Sequence, residues 1–335
     1  MKTMKLLIIF CLLGILNAGF AQAQSDSIYE VKAVKGGVEI TKCTKITPTL
    51  VIPETVGGKK VVGIGDSAFL KENLLKAVSI PGSVKRIEKQ AFSGCDLLAN
   101  VKIAPGVEVV GENAFSDCRS LKKIVIPEGV KELEKSAFNG CALESVELPS
   151  EMERLGDRCF MNCARLKKIK MPETVESLGE ILFGDCKELA DISIPTGITA
   201  IPAQMLLGCK SLKNVKIPEG VTDIGKKAFD GCEKLTAISL PKDVKQIGSM
   251  AFQKCAITQF EIPNGVTVVE NDTFYDCARL TKVLIPSSVK TINGDPFRVN
   301  AAANKGLSVY GEKGSEAEEF ANKYKYKFVA KQAKK

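Results

Sequence analysis

Nine cysteines stand at near-constant spacing through the chain: Cys95, Cys118, Cys141, Cys163, Cys186, Cys209, Cys232, Cys255 and Cys277, each 22 or 23 residues from the next. Thiols in such number could hold metal, exchange electrons, cross-link or simply pack. Zinc needs four ligands converging on one point, usually supplied as paired C-x-x-C units, and no C-x-x-C occurs. A catalytic thiol needs a singular activating environment, which a ninefold repetition does not single out. The chain has no His. That excludes Ser-His-Asp and Cys-His nucleophile systems, His-ligated metals and the commonest general acid/base. Any enzyme built here would rest on carboxylates, Lys, Tyr or Cys. There is no Gly-rich phosphate loop with its Lys, and the repeated glycines read as turn residues, where positive φ is cheap. The carboxylates Glu318 and Glu319 read as surface charge on a closing helix. The expectation is no catalytic residue, no cofactor and no metal.

Equal spacing of thiols requires an equally repetitive scaffold. The apolar residues Ile80, Ile103, Ile126, Leu148, Met171, Ile194, Ile217, Leu240, Ile262 and Ile285 recur at steps of 22 or 23, with Ile52 28 residues before the series and Val309 24 after it. A second ladder agrees: Phe69, Phe92, Phe115, Phe138, Phe160, Phe183, then Leu206, then Phe229, Phe252, Phe274 and Phe297. Both short steps fall just after a cysteine, in CALESVELP and CAITQFEIP, which marks a loop of the repeating unit. A period in the twenties means a solenoid of stacked coils, none able to bury its apolar side alone. Within each coil L-x-x-I-x-I-P alternates apolar and polar residues as a short strand does, and proline ends the ladder for want of an N–H. The stretch V-x-x-I-G-x-x-A-F-x-G-C suits a turn-rich or briefly helical return. The fold expected is a repeat solenoid of about eleven coils, with a parallel sheet on one face and a cap at each end, roughly 50 Å long at a rise of about 4.8 Å per coil.

Stacking puts the nine cysteines in a column. Neighbouring Cα atoms about 4.8 Å apart would admit a disulfide, but parallel side chains leave the Cβ atoms almost as far apart, where a disulfide wants roughly 3.5–4.5 Å. Loss of a leader containing Cys11 would leave 11 of the 12 cysteines, an odd number. The reading favoured is a column of buried thiols, small apolar residues where the coil turns tightly. In this view Cys95, Cys118, Cys141, Cys186, Cys209 and Cys232 form a core ladder beside Phe92, Phe115, Phe138, Phe183, Phe229 and Phe252. Cys43 and Cys159 lie outside the column. Cys159 reads as a core substitution for the usual Ala; a local disulfide or redox pair with Cys163 is the alternative.

The unit C-x-x-L-x-x-I-x-I-P-x-x-V-x-x-I-x-x-x-A-F-x-G-C resembles the BspA-like class of leucine-rich repeat. IYEVKAVKGGVEITKCT resembles that family's N-terminal capping strands, and LSVYGEKGSEAEEFANKYKYKF its closing strand and helix. The boundaries expected are a leader at 1–23, an N-terminal cap at 24–50, the solenoid at 51–300 and a C-terminal cap with basic tail at 301–335. The resemblance implies a non-catalytic protein-binding module acting in surface adhesion or contact with host or extracellular-matrix proteins. The alternative is a periplasmic or envelope scaffold binding a protein of the same cell.

The N-terminus supports export. In MKTMKLLIIFCLLGILNAGFAQAQ two lysines precede an apolar run, and Ala21-Gln22-Ala23 offers the small-x-small pattern of a cleaved leader. No second hydrophobic span follows, so no transmembrane segment is expected after cleavage. The destination expected is secreted, cell-surface or periplasmic. The net charge of +8 does not predict nucleic-acid binding, because residues 24–322 hold 39 basic and 39 acidic side chains. The excess sits in the leader and in the tail from Lys323, which reads as a solvated end. Asn271 begins a glycosylation sequon by pattern only.

In leucine-rich repeat proteins, by that resemblance, the strand face carries recognition. Strand alternation turns Lys102, Lys123, Glu147, Lys168, Lys170, Asp191, Lys216, Glu261 and Lys282 outward on it. This candidate surface is polar and mixed in sign, and carries no aromatic through Leu284. Lys123, Lys168 and Lys170 form a modest basic spot, read as a solvated face or a contact for an acidic ligand. Ligand identity and oligomeric state are not written in these residues.

Overall fold

A single coil of about 23 residues has apolar side chains on its inner side and nothing to bury them against, so each coil is completed by the one above and below. The computed structural model, describing residues 27–300 and 302–331, shows about thirteen such coils in one parallel β-solenoid. The leader at 1–23 lies outside the described residues. The two coils beyond the expected eleven come from the C-terminal end, where the period fails. Val309 pairs with Val283 rather than following Ile285, and Phe328 pairs with Val309. These last steps of 26 and 19 residues broke the ladder that the sequence spacing follows.

Three ladders of backbone hydrogen bonds run along the solenoid. The face sheet uses the I-x-I strands, as in Lys123–Val125, Ser145–Glu147, Lys168–Ile169, Asp191–Ser193 and Asn214–Lys216, all parallel and in register. A second sheet uses two-residue strands such as Arg86–Ile87, Val109–Val110 and Glu132–Leu133. It starts from the hairpin of β1 (Tyr29–Val34) and β2 (Gly37–Cys43), whose second strand pairs with Lys59–Ile64. The third ladder joins the Ala-Phe turns: the Phe69 amide donates to Ala91 O at 2.8 Å and the Phe92 amide to Ala114 O at 2.7 Å. The returns are turn-rich, and the helix among the described residues is α1 (Glu316–Tyr324) at the C-terminal end.

The core between these ladders is a stack of phenylalanine rings. Phe69, Phe92, Phe115, Phe138, Phe160 and Phe183 lie 4.8 to 5.9 Å apart, centroid to centroid, stacked with their planes nearly parallel. Leu206 interrupts them. The stack resumes from Phe229 to Phe297 and ends edge-on against Phe320 of α1, 5.6 Å away. The helix thus covers the last ring that no further coil would cover.

The glycines divide into two groups, which corrects the single role given them from sequence. Gly94, Gly140, Gly208 and Gly231, just before the cysteines, do have positive φ. Gly225 and Gly248, which follow the second strand, do not. A Cβ on either would lie 2.6 Å from a backbone nitrogen of the coil below, so these two glycines serve close approach of coil to coil. Positive φ also recurs just before the Ala-Phe turn, on Ser67, Gln90, Arg158, Ile181 and Lys227 among others, with no glycine there.

Candidate functional site

The thiol column sits one turn after the phenylalanine stack and is tied to it. Each of the nine cysteines donates its S–H to a main-chain carbonyl of the coil below: Cys95 to Phe69 O at 3.0 Å, Cys118 to Phe92 O at 3.3 Å, Cys141 to Phe115 O at 3.0 Å. Cys163, Cys186 and Cys209 continue onto Phe138, Phe160 and Phe183. Cys232 reaches Leu206, Cys255 reaches Phe229 and Cys277 reaches Phe252. The carbonyl so used is doubly engaged, since Phe92 O also accepts the Cys95 amide at 3.3 Å. Phe92, Phe115, Phe138, Phe183, Phe229 and Phe252 are wholly enclosed, as are Cys95, Cys118, Cys186, Cys209 and Cys232, with Cys141 nearly so.

Enclosure sets the chemistry of these thiols. Burial pushes Cys95 up to about 12 and raises Cys163, Cys186 and Cys209 as well. For Cys118 a hydrogen bond with Cys141 is the first cause and burial the second. Since the thiolate is the nucleophile and the metal ligand, a buried thiol held neutral by its surroundings is a packing group. Cys159 and Cys163 are both buried free thiols, Cys159 likewise raised by burial. Among the described residues no group of three or more Cys, Asp or Glu side chains is placed to hold a metal ion.

Lys102, Lys123, Glu147, Lys168, Lys170, Asp191, Lys216, Glu261 and Lys282 all lie exposed on the outer side of the face sheet. The sheet does not gather them into one pocket; they are spread along the array, one or two per coil. Lys123 and Lys168 stand opposite Ser145 from either side, and Lys123 forms an ion pair with Glu147 at 3.0 Å. Asp191 accepts a hydrogen bond from the Asn214 amide. Sequence reading stopped at Leu284 and so missed the next coil, where Tyr310 pairs with Leu284. The Lys282 ammonium lies 4.9 Å from the centre of that half-buried ring, so the face does carry an aromatic. The shifted register of Val309 hid it.

The face sheet is also discontinuous. The strands Thr49–Val51, Ala77–Ile80 and Asn100–Ile103 form one ladder and Lys123–Val125 begins another. At this seam lies a depression of about 450 Å³ lined by Ser79, Val101, Lys102, Lys123 and Val125 among others. Val101 alternates inward in sequence yet is only half-buried. A further interruption falls at Ile238, where the coil forms no face strand.

Stacked 22–23-residue coils with a strand on one side, turns on the other and a phenylalanine spine between define a leucine-rich repeat solenoid. The chain belongs to the BspA type leucine-rich repeat family, whose model matches residues 62–142, 131–255 and 199–304. Two solved structures with TM-scores above 0.5 give the same fold. A leucine-rich repeat protein from Bacteroides ovatus is 23% identical over 91% of this chain and 98% of its own, with a TM-score of 0.55. One from Eubacterium ventriosum is 21% identical over 84% and 83%, with a TM-score of 0.54. A leucine rich cell surface protein from Faecalibacterium prausnitzii is 25% identical over 88% and 95%, with a TM-score of 0.49. Among curated proteins no match was found. No helix among the described residues is long and apolar enough to cross a membrane.

Proposed function

We propose that this chain is an exported, non-catalytic solenoid that binds a protein through its strand face, in adhesion to host or extracellular-matrix proteins. The observation that carries the reading is a contrast between its two sheets. On the second sheet the charges satisfy one another from coil to coil: Arg86 with Glu134, Lys85 with Glu108, Lys131 with Glu153, Arg154 with Glu132. On the face sheet, among the described residues, only Lys123 and Glu147 are so paired. Lys102, Lys168, Lys170, Lys216, Glu261 and Lys282 stand exposed without an ion-pair partner, while Tyr310 supplies a residue type favoured at binding hot spots. One flank is internally neutralised and the other is left with free charge. A partner surface would supply the missing complements, and such rim charges govern encounter and specificity more than raw affinity.

Export rests on the leader pattern at 1–23. The test is protease shaving of intact cells, with released peptides identified by mass spectrometry. Adhesion predicts peptides from the solenoid while the cells stay sealed. Peptides protected until the envelope is opened would overturn adhesion and leave a scaffold that binds a partner of the same cell.

A further inference from the structure

Six large apolar side chains stand exposed on the described surface, and none lies beyond Val125: Val31, Val51, Leu70, Leu74, Leu97 and Val125. Two of them, Val51 and Val125, occupy the outward place inside I-x-I on the face sheet. Val125, 49% exposed, sits on the wall of the seam depression between the strands Asn100–Ile103 and Lys123–Val125. Three independent features meet there. The floor is aliphatic, with Val101 partly uncovered. The charged groups in the lining are Lys102 and Lys123, with no carboxylate among them. The two strands share no hydrogen-bonded register, so peptide groups along the seam lack the strand partner that their counterparts have elsewhere in the face sheet.

We propose that this seam is the primary contact of the strand face and that its occupant is an extended acidic segment of a partner protein, an aliphatic side chain on the valine floor with a neighbouring carboxylate on Lys102 and Lys123. The proposal rests on the strand-face reading above and narrows it to one place. Each part of such a segment answers one feature. The aliphatic group covers Val101 and Val125, which water covers poorly. The carboxylate supplies the anion that Lys102 lacks and that Lys123 shares with Glu147. The segment's own main chain crosses the outer side of the seam, where its donors and acceptors lie beside the peptide groups that lack a strand partner. The depression spans the coils of Ser79, Lys102 and Val125, about 10 Å at the usual strand spacing, which about three extended residues cross. A basic segment is repelled by the two lysines, and a purely apolar one leaves their charges uncompensated.

The test uses a displayed library of random twelve-residue peptides, panned against the chain lacking residues 1–23, with recovered peptides titrated by fluorescence anisotropy. Expected is enrichment of peptides that place Val, Ile or Leu beside Asp or Glu. Their binding should weaken more than tenfold in Val125→Asp and in Lys102→Glu, and stay within twofold of wild type in Lys187→Glu, an exposed turn position outside both sheets. Circular dichroism melts of each variant establish that these exposed substitutions leave the fold intact. If recovered peptides lose binding in Lys216→Glu or Tyr310→Ala but keep it in Val125→Asp, the seam is overturned while strand-face binding stands. If no face variant weakens binding, both readings fall. Enrichment of basic peptides, no enrichment at all, or heparin competing away the peptide equally well in wild type and Lys102→Glu would each overturn the proposal.

Discussion

Raising the pH from 7.5 to 9.5, with a reductant present, should strip this protein of most of its stability, and the thiol column is the reason. In the unfolded chain a cysteine ionises near pH 8.5. In the folded chain seven of the nine column thiols (Cys95, Cys118, Cys163, Cys186, Cys209, Cys232 and Cys277) are held neutral well above that value, and burial raises Cys141 as well. Above pH 8.5 the unfolded state therefore binds fewer protons than the native one, and stability falls as pH rises. The loss begins at the unfolded value and, for Cys95, continues until the native thiol itself ionises at about 12. At pH 9.5 each of these seven thiols favours the unfolded state by about 1.4 kcal/mol, so together they give on the order of 10 kcal/mol. That rivals the 5–15 kcal/mol typical of a whole domain. Stopping at pH 9.5 keeps Lys and Tyr, with ordinary values above 10, out of most of the change.

The assay is urea unfolding followed by circular dichroism at half-unit steps of pH, with the slope of stability against pH read as protons released on unfolding. The slope should steepen through pH 9 toward several protons, and Cys186→Ala should remove about one of them. Lys168→Ala should leave it unchanged. A limiting slope below about two protons would show that the thiols ionise in place, and the buried, carbonyl-bonded column would be refuted.

Three further outcomes follow from the same geometry. Phe183→Ala removes an enclosed ring stacked 5.8 Å from Phe160 and should cost about 3–5 kcal/mol by urea denaturation; a loss under about 1 kcal/mol would mean that this ring is not core. The two kinds of glycine should separate in the same assay. Gly231→Ala meets only ordinary contacts and loses about 1–2 kcal/mol to its positive φ, whereas Gly248→Ala must push two coils apart and should lose more. Tyr326→Phe removes a hydroxyl that donates to the Asp295 carboxylate and accepts from the Asn304 amide. It should cost about 1–3 kcal/mol, and amide exchange should quicken in the last coils while the first coils keep their protection.

How much of this was legible in the sequence depends on how strictly each residue is repeated. Phe92 and Cys95 could be placed in adjacent ladders because every coil meets the same packing problem and solves it with the same residues. Val309 was misregistered, set 24 residues after Ile285 where it pairs with Val283, because the final coils carry 26 and 19 residues and the period held no information there; Tyr310 was lost with it. The role of Gly248 was misassigned because glycine is written identically for a left-handed turn and for a close approach, and only the distance to Lys226 N separates the two. The seam was invisible for a different reason. Coil three places Pro105 one position later than its neighbours while keeping the same length, reading I-A-P-G-V where the preceding coil reads I-P-G-S-V. A count of periods passes over such a change, yet the ladder beside it is open. A candidate site that arises from a local lapse in repetition is the kind that a repeat signature conceals.

The same logic explains why cysteine, rather than alanine or serine, fills the column. The phenylalanine carbonyl at the tight turn points into a dry interior and has two lone pairs. The Cys95 amide takes one on Phe92 O at 3.3 Å, and the Cys118 thiol, one coil on, takes the other at the same distance. Alanine would fit the space but leave that second lone pair without a donor, at the cost of an unmet buried acceptor. Serine would supply a stronger donor, but it would also bury hydroxyl oxygens with lone pairs of their own to satisfy, at every coil. A thiol is apolar enough to enclose and polar enough to donate once. The residue whose repetition first suggests metal or redox chemistry is therefore the one that lets the turn close, and its reactivity is suppressed by the same burial that makes it useful. The charges that this interior cannot use are left to the strand face, where those of the outward lysines that lack a partner in their own chain are free to meet one in another.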